Sequence, residues 1–380
     1  MEEKHKKKRR AKGDGGYQDL GNGKHKVQIT IKGIDGKQCR KSFTADSKPK
    51  AIKMLNKFKA EAENGILVAP QKTTIKDYVQ RWLDSKAFSV KPKSYSTYKF
   101  ACDKHIVPTL GKLKIQKVTT ATINDYFSTM GKLGLALASM AQHRAILSGV
   151  MTLAVNEGVI GKNPVTTATS IPKSRSKQVV LSNEQIAKLL EVSRTYKGKH
   201  KGKRLHCIYH IILLALATGM RRGELLGLQW NNVTDDSVKV VDNYVEIDGK
   251  GVMDTPKSEN GARVFSVESE VIKTLRDELY DPKCPLVFHD NGEHIKFTNL
   301  TRDYKNCLEL AGISREVRLH DLRHTHVTHL LSNHYDIKLV AQRIGDDPKT
   351  VLNTYAHVMP EKDKEAAKFM GSKLFPKDDK

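Results

Sequence analysis

The chain has 380 residues, 38% of them hydrophobic, which is room for two or three domains with ordinary buried cores. No apolar run reaches the roughly 20 residues of a membrane span, and the opening MEEKHKKKRR lacks the apolar stretch of a signal peptide, so a cytoplasmic protein with no membrane partner is expected. The five cysteines, Cys39, Cys102, Cys207, Cys284 and Cys307, are scattered and never spaced as CxxC, which argues against a disulfide framework or a zinc finger. The net charge is +24 and unevenly placed: residues 1–70 carry 18 Lys/Arg against 8 Asp/Glu, residues 71–175 carry 16 against 5, and residues 176–380 carry 32 against 29. A field of that sign attracts polyanions and gives salt-dependent phosphate binding through counterion release.

Residues 1–16 read as a disordered basic tail. Val27, Ile29 and Ile31 then alternate with polar residues, Asp35-Gly36 supplies a turn, and Cys39, Lys41 and Phe43 resume the extended period. A helix follows with Ala51, Ile52, Leu55, Phe58 and Ala62 on one face and Asn64-Gly65 as its stop. Together, residues 17–68 form a small basic ββα-like module. Residues 71–165 are expected to be all helical. Ile75, Tyr78, Val79, Trp82 and Leu83 follow the i, i+3, i+4 rule behind the capping threonines Thr73 and Thr74, and further helices are predicted at Lys93–Ile106, Thr120–Gly131 and Ser139–Gly158. The run VTTATSIPKSRSKQ after Pro164 reads as an extended basic linker, with residues 166–180 joining two domains.

From residue 181 to 362 the pattern is that of a larger, mainly α, mixed α+β domain. Ser182 to Gln185 form a capping box, Ile208 to Ala217 a buried apolar helix, and Val238, Val240, Val245 to Ile247 and Ala262 to Val267 antiparallel strands. Four segments stand out within it: ATGMRRGELLGLQW (Ala217–Trp230), TPKSENGARVF (Thr255–Phe265), LHDLRHTHVTHLL (Leu319–Leu331) and GDDPKTVLNTYAH (Gly345–His357). Each alone is weak; their order and spacing are specific.

In these segments the chain resembles the tyrosine recombinase family, and within it the integrases of temperate phages and conjugative transposons. Thr218-Gly219-Met220-Arg221 with Glu224 matches the first family box, His320-x-x-Arg323 the second, and Gly345 with Tyr355 the last. The helical segment, including HIVPTLGKLKIQKVT (His105–Thr119), is similar to the family's core-binding domain, and the first module to its arm-binding domain, a three-stranded sheet plus helix. The resemblance spans about residues 17–365. It implies a site-specific DNA recombinase whose helical and catalytic domains form a C-shaped clamp on core-type sites of double-stranded DNA, while the first module holds arm-type sites. It further implies a homotetramer on DNA, excisionase and host DNA-bending proteins as accessory partners, and a tail, residues 363–380, exchanged between protomers.

The chemistry agrees with the residue types. Attack on a phosphodiester builds charge on its non-bridging oxygens, and two planar, permanently charged guanidiniums answer it. Arg221 and Arg323 are assigned that role; Arg222 competes for the first, but the spacing to Gly219 and Glu224 favours Arg221. Glu224 is expected to orient an arginine. Tyr355 is the nucleophile, forming a 3′-phosphotyrosyl bond. A phenol has a pKa near 10, so His320 is expected as base and Lys257 as acid for the departing 5′-oxygen. No metal or other cofactor is expected. The rival metal reading of His320, His324, His326 and His329 lacks a completing carboxylate or cysteine, which leaves the last three structural or DNA-facing and His357 unassigned.

One position departs from the family. Where it has His or Trp after the glycine, this chain has Asp346, which at neutral pH cannot donate to a phosphate. Asp347-Pro348 reads as N-cap and N1 of the next helix, so Asp346 is expected just outside that helix, turned from the DNA or orienting a catalytic group; Asp346→His should leave cleavage intact or improve it. A chromosome-dimer resolvase or invertase of the same family, and a non-enzymatic DNA-binding regulator, are the rival readings.

Overall fold

The computed structural model describes residues 16–32, 38–63, 73–172, 178–198, 205–254 and 261–356, with Lys368, Met370 and Leu374 of the C-terminal segment. The chain divides into two compact units, 1–175 and 176–380.

The first unit begins with an antiparallel sheet of β1 (Gly16–Asp19), β2 (His25–Lys32) and β3 (Gln38–Ala45), in that order. Strand β1 is a short polar edge, GYQD, that alternation could not locate. Helix α1 (Lys48–Glu63) packs on the sheet, and Val27, Ile29, Ala45, Ala51 and Leu55 form the shared core. The expected turns at Asp35-Gly36 and Asn64-Gly65 lie outside the described residues.

Helices follow. In α2 (Ile75–Ala87), the Asp77 amide donates to Thr74 Oγ1 and the Thr74 amide to Asp77 Oδ2, a capping box that satisfies two otherwise orphaned groups. Its apolar face buries Ile75, Tyr78, Val79, Trp82 and Leu83. The next helix was expected to stop at Ile106, before Pro108. Instead α3 (Pro92–Ala101) continues through a π-turn at Cys102–Ile106 into α4 (Val107–Leu110). The Val107 amide bonds to Cys102 O, five residues back, and this widened turn accommodates the proline. After α5 (Thr120–Lys132) and α6 (Leu137–Asn156), the segment expected to be linker is pinned at its start. Arg144 donates to the carbonyls of Thr169, Val165 and Ala168 at 2.8, 2.8 and 3.1 Å, and Val165 and Ala168 are buried. Apolar residues in the run thus extend the helical core beyond Pro164.

The second unit contains α7 (Asn183–Thr195), α8 (Ile208–Thr218), α9 (Arg222–Leu226), β4 (Ser237–Val240), β5 (Asn243–Ile247), β6 (Lys250–Asp254), β7 (Arg263–Ser266), α10 (Ser269–Leu279), β8 (His289–Asp290), β9 (Glu293–His294), α11 (Phe297–Leu310), α12 (Leu319–Ser332), α13 (Ile337–Ile344) and α14 (Pro348–Tyr355). β4 pairs with β7 and β5 with β6, both antiparallel. The β5–β6 hairpin, absent from the expected strands as a pair, turns on Asp248-Gly249 with φ 50° and 80°, a two-residue turn that Asp-Gly favours. Helix α12 runs through the middle, and every residue from Asp321 to Thr328 is buried although most are polar. A main core reaches from Leu181 to Leu322, and a second cluster joins α12, α13 and α14 through Val327, Leu331, Val340, Ala341, Ile344, Val351 and Tyr355.

Candidate active site

Two helix ends form the floor of the site. α8 stops at Gly219 (φ 67°) and α13 at Gly345 (φ 68°), both left-handed caps that glycine adopts without a Cβ clash. Just past them stand Arg221, the N-cap of α9, and Asp346. The carbonyls at these ends are used crosswise. Arg323, buried on α12, donates through Nη1 to Gly219 O (2.9 Å) and Ile344 O (2.8 Å), while Arg221 donates through Nη2 to Gly345 O (3.1 Å). The C-terminal end of a helix carries partial negative charge, which suits a cation.

Asp346 closes the arrangement. One carboxylate oxygen accepts from Arg221 Nη2 and the other from Arg323 Nη2, the latter at 2.6 Å. Its side chain is turned into the arginine pair, not away from the site; Asp347 and Pro348 are the N-cap and N1 of α14, as expected. Burial, then the charge of Arg221, pull the Arg323 guanidinium below its ordinary value, and Asp346 opposes them.

A second carboxylate lies beneath. Glu224 accepts from the Arg221 amide and Arg221 Nη1, both at 2.9 Å, and from Arg263 Nη1 and Nη2 at 3.2 and 2.9 Å. Burial alone would raise its pKa, but the two arginines hold it below the usual carboxylate range. Arg263 also donates to Arg343 O (2.8 Å), tying β7 to α13. Sequence reasoning missed Arg263 and Arg343, whose bonds to Glu224 and to Ala217 O span 39 and 126 residues of the chain. Arg222 points elsewhere, its guanidinium 3.7 Å from the centre of the Phe297 ring, so the structure separates it from its neighbour Arg221.

Tyr355 is buried in the second core cluster, yet its hydroxyl shares a short hydrogen bond with His324 Nδ1. Burial pushes the phenol up to about 12; Arg323 lowers it, while Asp346 and Asp321 raise it. His320, the expected base, does not bond the phenol: its ring sits edge-on to His324, 4.9 Å between centres. Lost hydration, then His324 and Arg323, push His320 down to about 4. Burial also lowers His324, partly offset by Asp321, so a neutral His324 ring can accept the phenol proton. Because i and i+4 share a helix face, spacing alone could not choose between the two. His326 Nδ1 bonds to Leu216 O (2.8 Å) and its Nε2 accepts from Arg343 Nε (3.2 Å); it is neutral and structural. His329 Nε2 bonds to Leu181 O (3.1 Å). Lys257 and His357 lie outside the described residues. Among the described residues no His, Cys, Asp and Glu group is arranged to hold a metal ion, and no helix is long and apolar enough to cross a membrane.

Residues 179–362 match the model of the phage integrase family, and residues 74–131 match the phage integrase N-terminal SAM-like domain. The chain is 26% identical over 368 residues to the ICEBs1 integrase of Bacillus subtilis (strain 168), covering 92% of this chain and 97% of that one. It is 27% identical over 379 residues to a XerC-like tyrosine recombinase of Caldanaerobacter subterraneus subsp. tengcongensis, covering 90% and 94%. In fold it is similar to the Tn1549 transposon integrase in complex with a circular intermediate DNA (TM-score 0.64, 18% identity, 80% of this chain and 99% of that one). It is also similar to a lambda integrase solved as a tetramer bound to a Holliday junction (TM-score 0.58, 17% identity, 90% and 96%). The two family models fall in chain order and span more than half of its length, over a mostly helical catalytic unit whose arginines and tyrosine meet at one site: the chain belongs to the phage integrase family of tyrosine recombinases.

Proposed function

We propose that this recombinase integrates and excises a mobile element by cutting and rejoining its attachment sites, with Tyr355 as nucleophile. The observation that carries this reading is the convergence of Arg221, Arg323 and the Tyr355–His324 pair at one site. Tyr355 Oη attacks the scissile phosphorus and passes its proton to His324 Nδ1. The P–O5′ bond breaks, Lys257 protonates the departing 5′-oxygen, and the 3′-phosphotyrosyl bond stores the phosphodiester for rejoining by an incoming 5′-hydroxyl. The guanidiniums of Arg221 and Arg323 hold the charge that develops on the non-bridging oxygens, and Glu224 holds Arg221 in place. No step calls on ATP or a metal.

The helical part of the first unit would bind core-type DNA, and the basic module with the three-stranded sheet arm-type DNA. The working form would be a homotetramer on DNA, as lambda integrase is on its Holliday junction, with an excisionase and a host DNA-bending protein setting direction. Deleting residues 1–70 should abolish integration while core cleavage persists; core-site recombination that never needs the module would favour a resolvase.

The test of the site traps the full chain on a nicked core-site duplex in EDTA. Wild type should form a covalent adduct and Tyr355→Phe none; an adduct surviving in Tyr355→Phe would refute the nucleophile. His324→Phe should slow adduct formation by about 10²- to 10⁴-fold, the usual worth of a positioned base, and more than His320→Gln does. The opposite order would return the base to His320.

A further inference from the structure

Resting on that reading of the site, we propose that the Asp346 carboxylate occupies the place of the scissile phosphate on the arginine pair in the DNA-free protein, so that substrate entry exchanges one anion for another. The two oxygens of Asp346 each take one guanidinium, Arg221 on one side and Arg323 on the other. This is the contact that two non-bridging phosphate oxygens would make with the same donors. A phosphate brought against Asp346 while it holds both arginines would meet a like charge at a few ångströms. Carboxylate and phosphate are therefore alternatives.

The backbone and the surroundings suit a side chain that moves. The Asp346 amide is fixed by a bond to Ala341 O at 3.0 Å, part of the cap that ends α13, and the next residue is the N-cap of α14. Exchange is then a rotation about the Asp346 side chain with no change of fold. The side chain is 29% exposed, and it borders a groove of about 1110 Å³ between β7 and α13 that is also lined by Lys338 and Arg343. A displaced carboxylate turning into that groove meets positive charge. The incoming phosphate takes over the negative charge that Asp346 places near Tyr355, so the exchange changes which anion the arginines hold and not the charge at the site. One movement thus frees the arginines, and it happens only when a phosphate is there to replace the carboxylate.

The test compares the full-length wild type with Asp346→Asn, which keeps the side chain's size and removes its charge. Inorganic phosphate is titrated at constant ionic strength and thermal unfolding recorded, the wild type reporting phosphate's general effect on stability. Ligand that binds only the folded protein raises Tm, and Asp346→Asn should bind phosphate at least about tenfold more tightly than wild type. Equal responses would overturn the proposal. Should Asp346→Asn not fold, the Asp346 carboxylate of the wild type is followed by ¹³C NMR; a resonance unmoved at saturating phosphate likewise overturns it. On the nicked core-site duplex, Asp346→Asn should form the covalent adduct faster than wild type. Slower formation that Asp346→Glu restores would overturn the exchange and make Asp346 a positioning residue for the arginines. Absence of any adduct in the wild type would instead defeat the reading of Tyr355, and the phosphate titration would still decide whether Asp346 competes with an anion.

Discussion

Glu224 and Asp346 each bridge two arginines and share Arg221 between them, yet they live in different surroundings. The Glu224 side chain is 2% exposed and takes four donors from Arg221 and Arg263, whereas the Asp346 side chain is 29% exposed and takes two, from Arg221 and Arg323. A buried carboxylate with every lone pair engaged has nothing to trade for, since leaving would strand the buried Arg263 out of water. At the surface, water and incoming anions compete for the same donors. The same chemical pairing therefore builds a fixed support at one depth and a replaceable occupant at the other.

The largest effect is expected from breaking the deeper pair. Glu224→Ala leaves Arg263, whose side chain is 6% exposed, without its carboxylate, and removing one partner of a buried pair costs about 3–5 kcal/mol. Urea denaturation should show that loss, followed by Trp230 fluorescence in a Trp82→Phe background so that the second unit reports alone. A loss under about 1 kcal/mol would mean that Glu224 is no more than a surface-type pair.

Acid should sharpen the contrast, with smaller steps. His326 is held neutral in the fold, pushed down to about 4 by burial and then Arg343, against about 6.5 in an unfolded chain. Its contribution is fully present above pH 6.5 and is lost as pH falls from there through about 4, by up to about 3 kcal/mol. Glu224, also depressed, contributes above its unfolded value near 4.3, and that part is lost only at lower pH. Stability of the second unit measured against pH should fall first in the histidine window, and His326→Gln should reduce the slope there and leave the part that His320 contributes. A slope there unchanged by His326→Gln would contradict the bonds assigned to its ring.

Local chemistry made much of this legible in the sequence. Thr74 with Asp77, Ser182 with Gln185 and Asp347-Pro348 mark helix starts because a cap needs only three or four neighbouring residues. The apolar face of α2 is readable for the same reason. What could not be read depends on partners far along the chain. Asp346 meets Arg221 across 125 positions and Arg263 meets Glu224 across 39, and no periodicity encodes such a pair. α12 hides its burial, because its inward faces carry polar residues: Arg323 and His326 are satisfied by carbonyls of other elements, and Thr325 by Asp321 O of its own helix and the Leu181 amide. The β5–β6 hairpin was a different case: Asp248-Gly249 between alternating residues is a strong turn signal, present in the sequence and overlooked.

The smallest effect separates the neighbours Arg221 and Arg222, which the sequence offers as equals in charge. Arg222 lies over the face of Phe297 and is partly stripped of water there, burial pulling its pKa down and Glu246 opposing. Such a contact is worth about 0.5–2 kcal/mol. Arg222→Ala should therefore cost about 1 kcal/mol of stability in the second unit and leave the rate of covalent adduct formation on the nicked duplex within about twofold. Phe297→Leu should cost a similar amount, and combining the two should cost less than their sum, because both remove one contact. A collapse of adduct formation in Arg222→Ala with the fold intact would move the phosphate contact from Arg221 to Arg222, and the bridge that Asp346 makes would then no longer mark the phosphate's place.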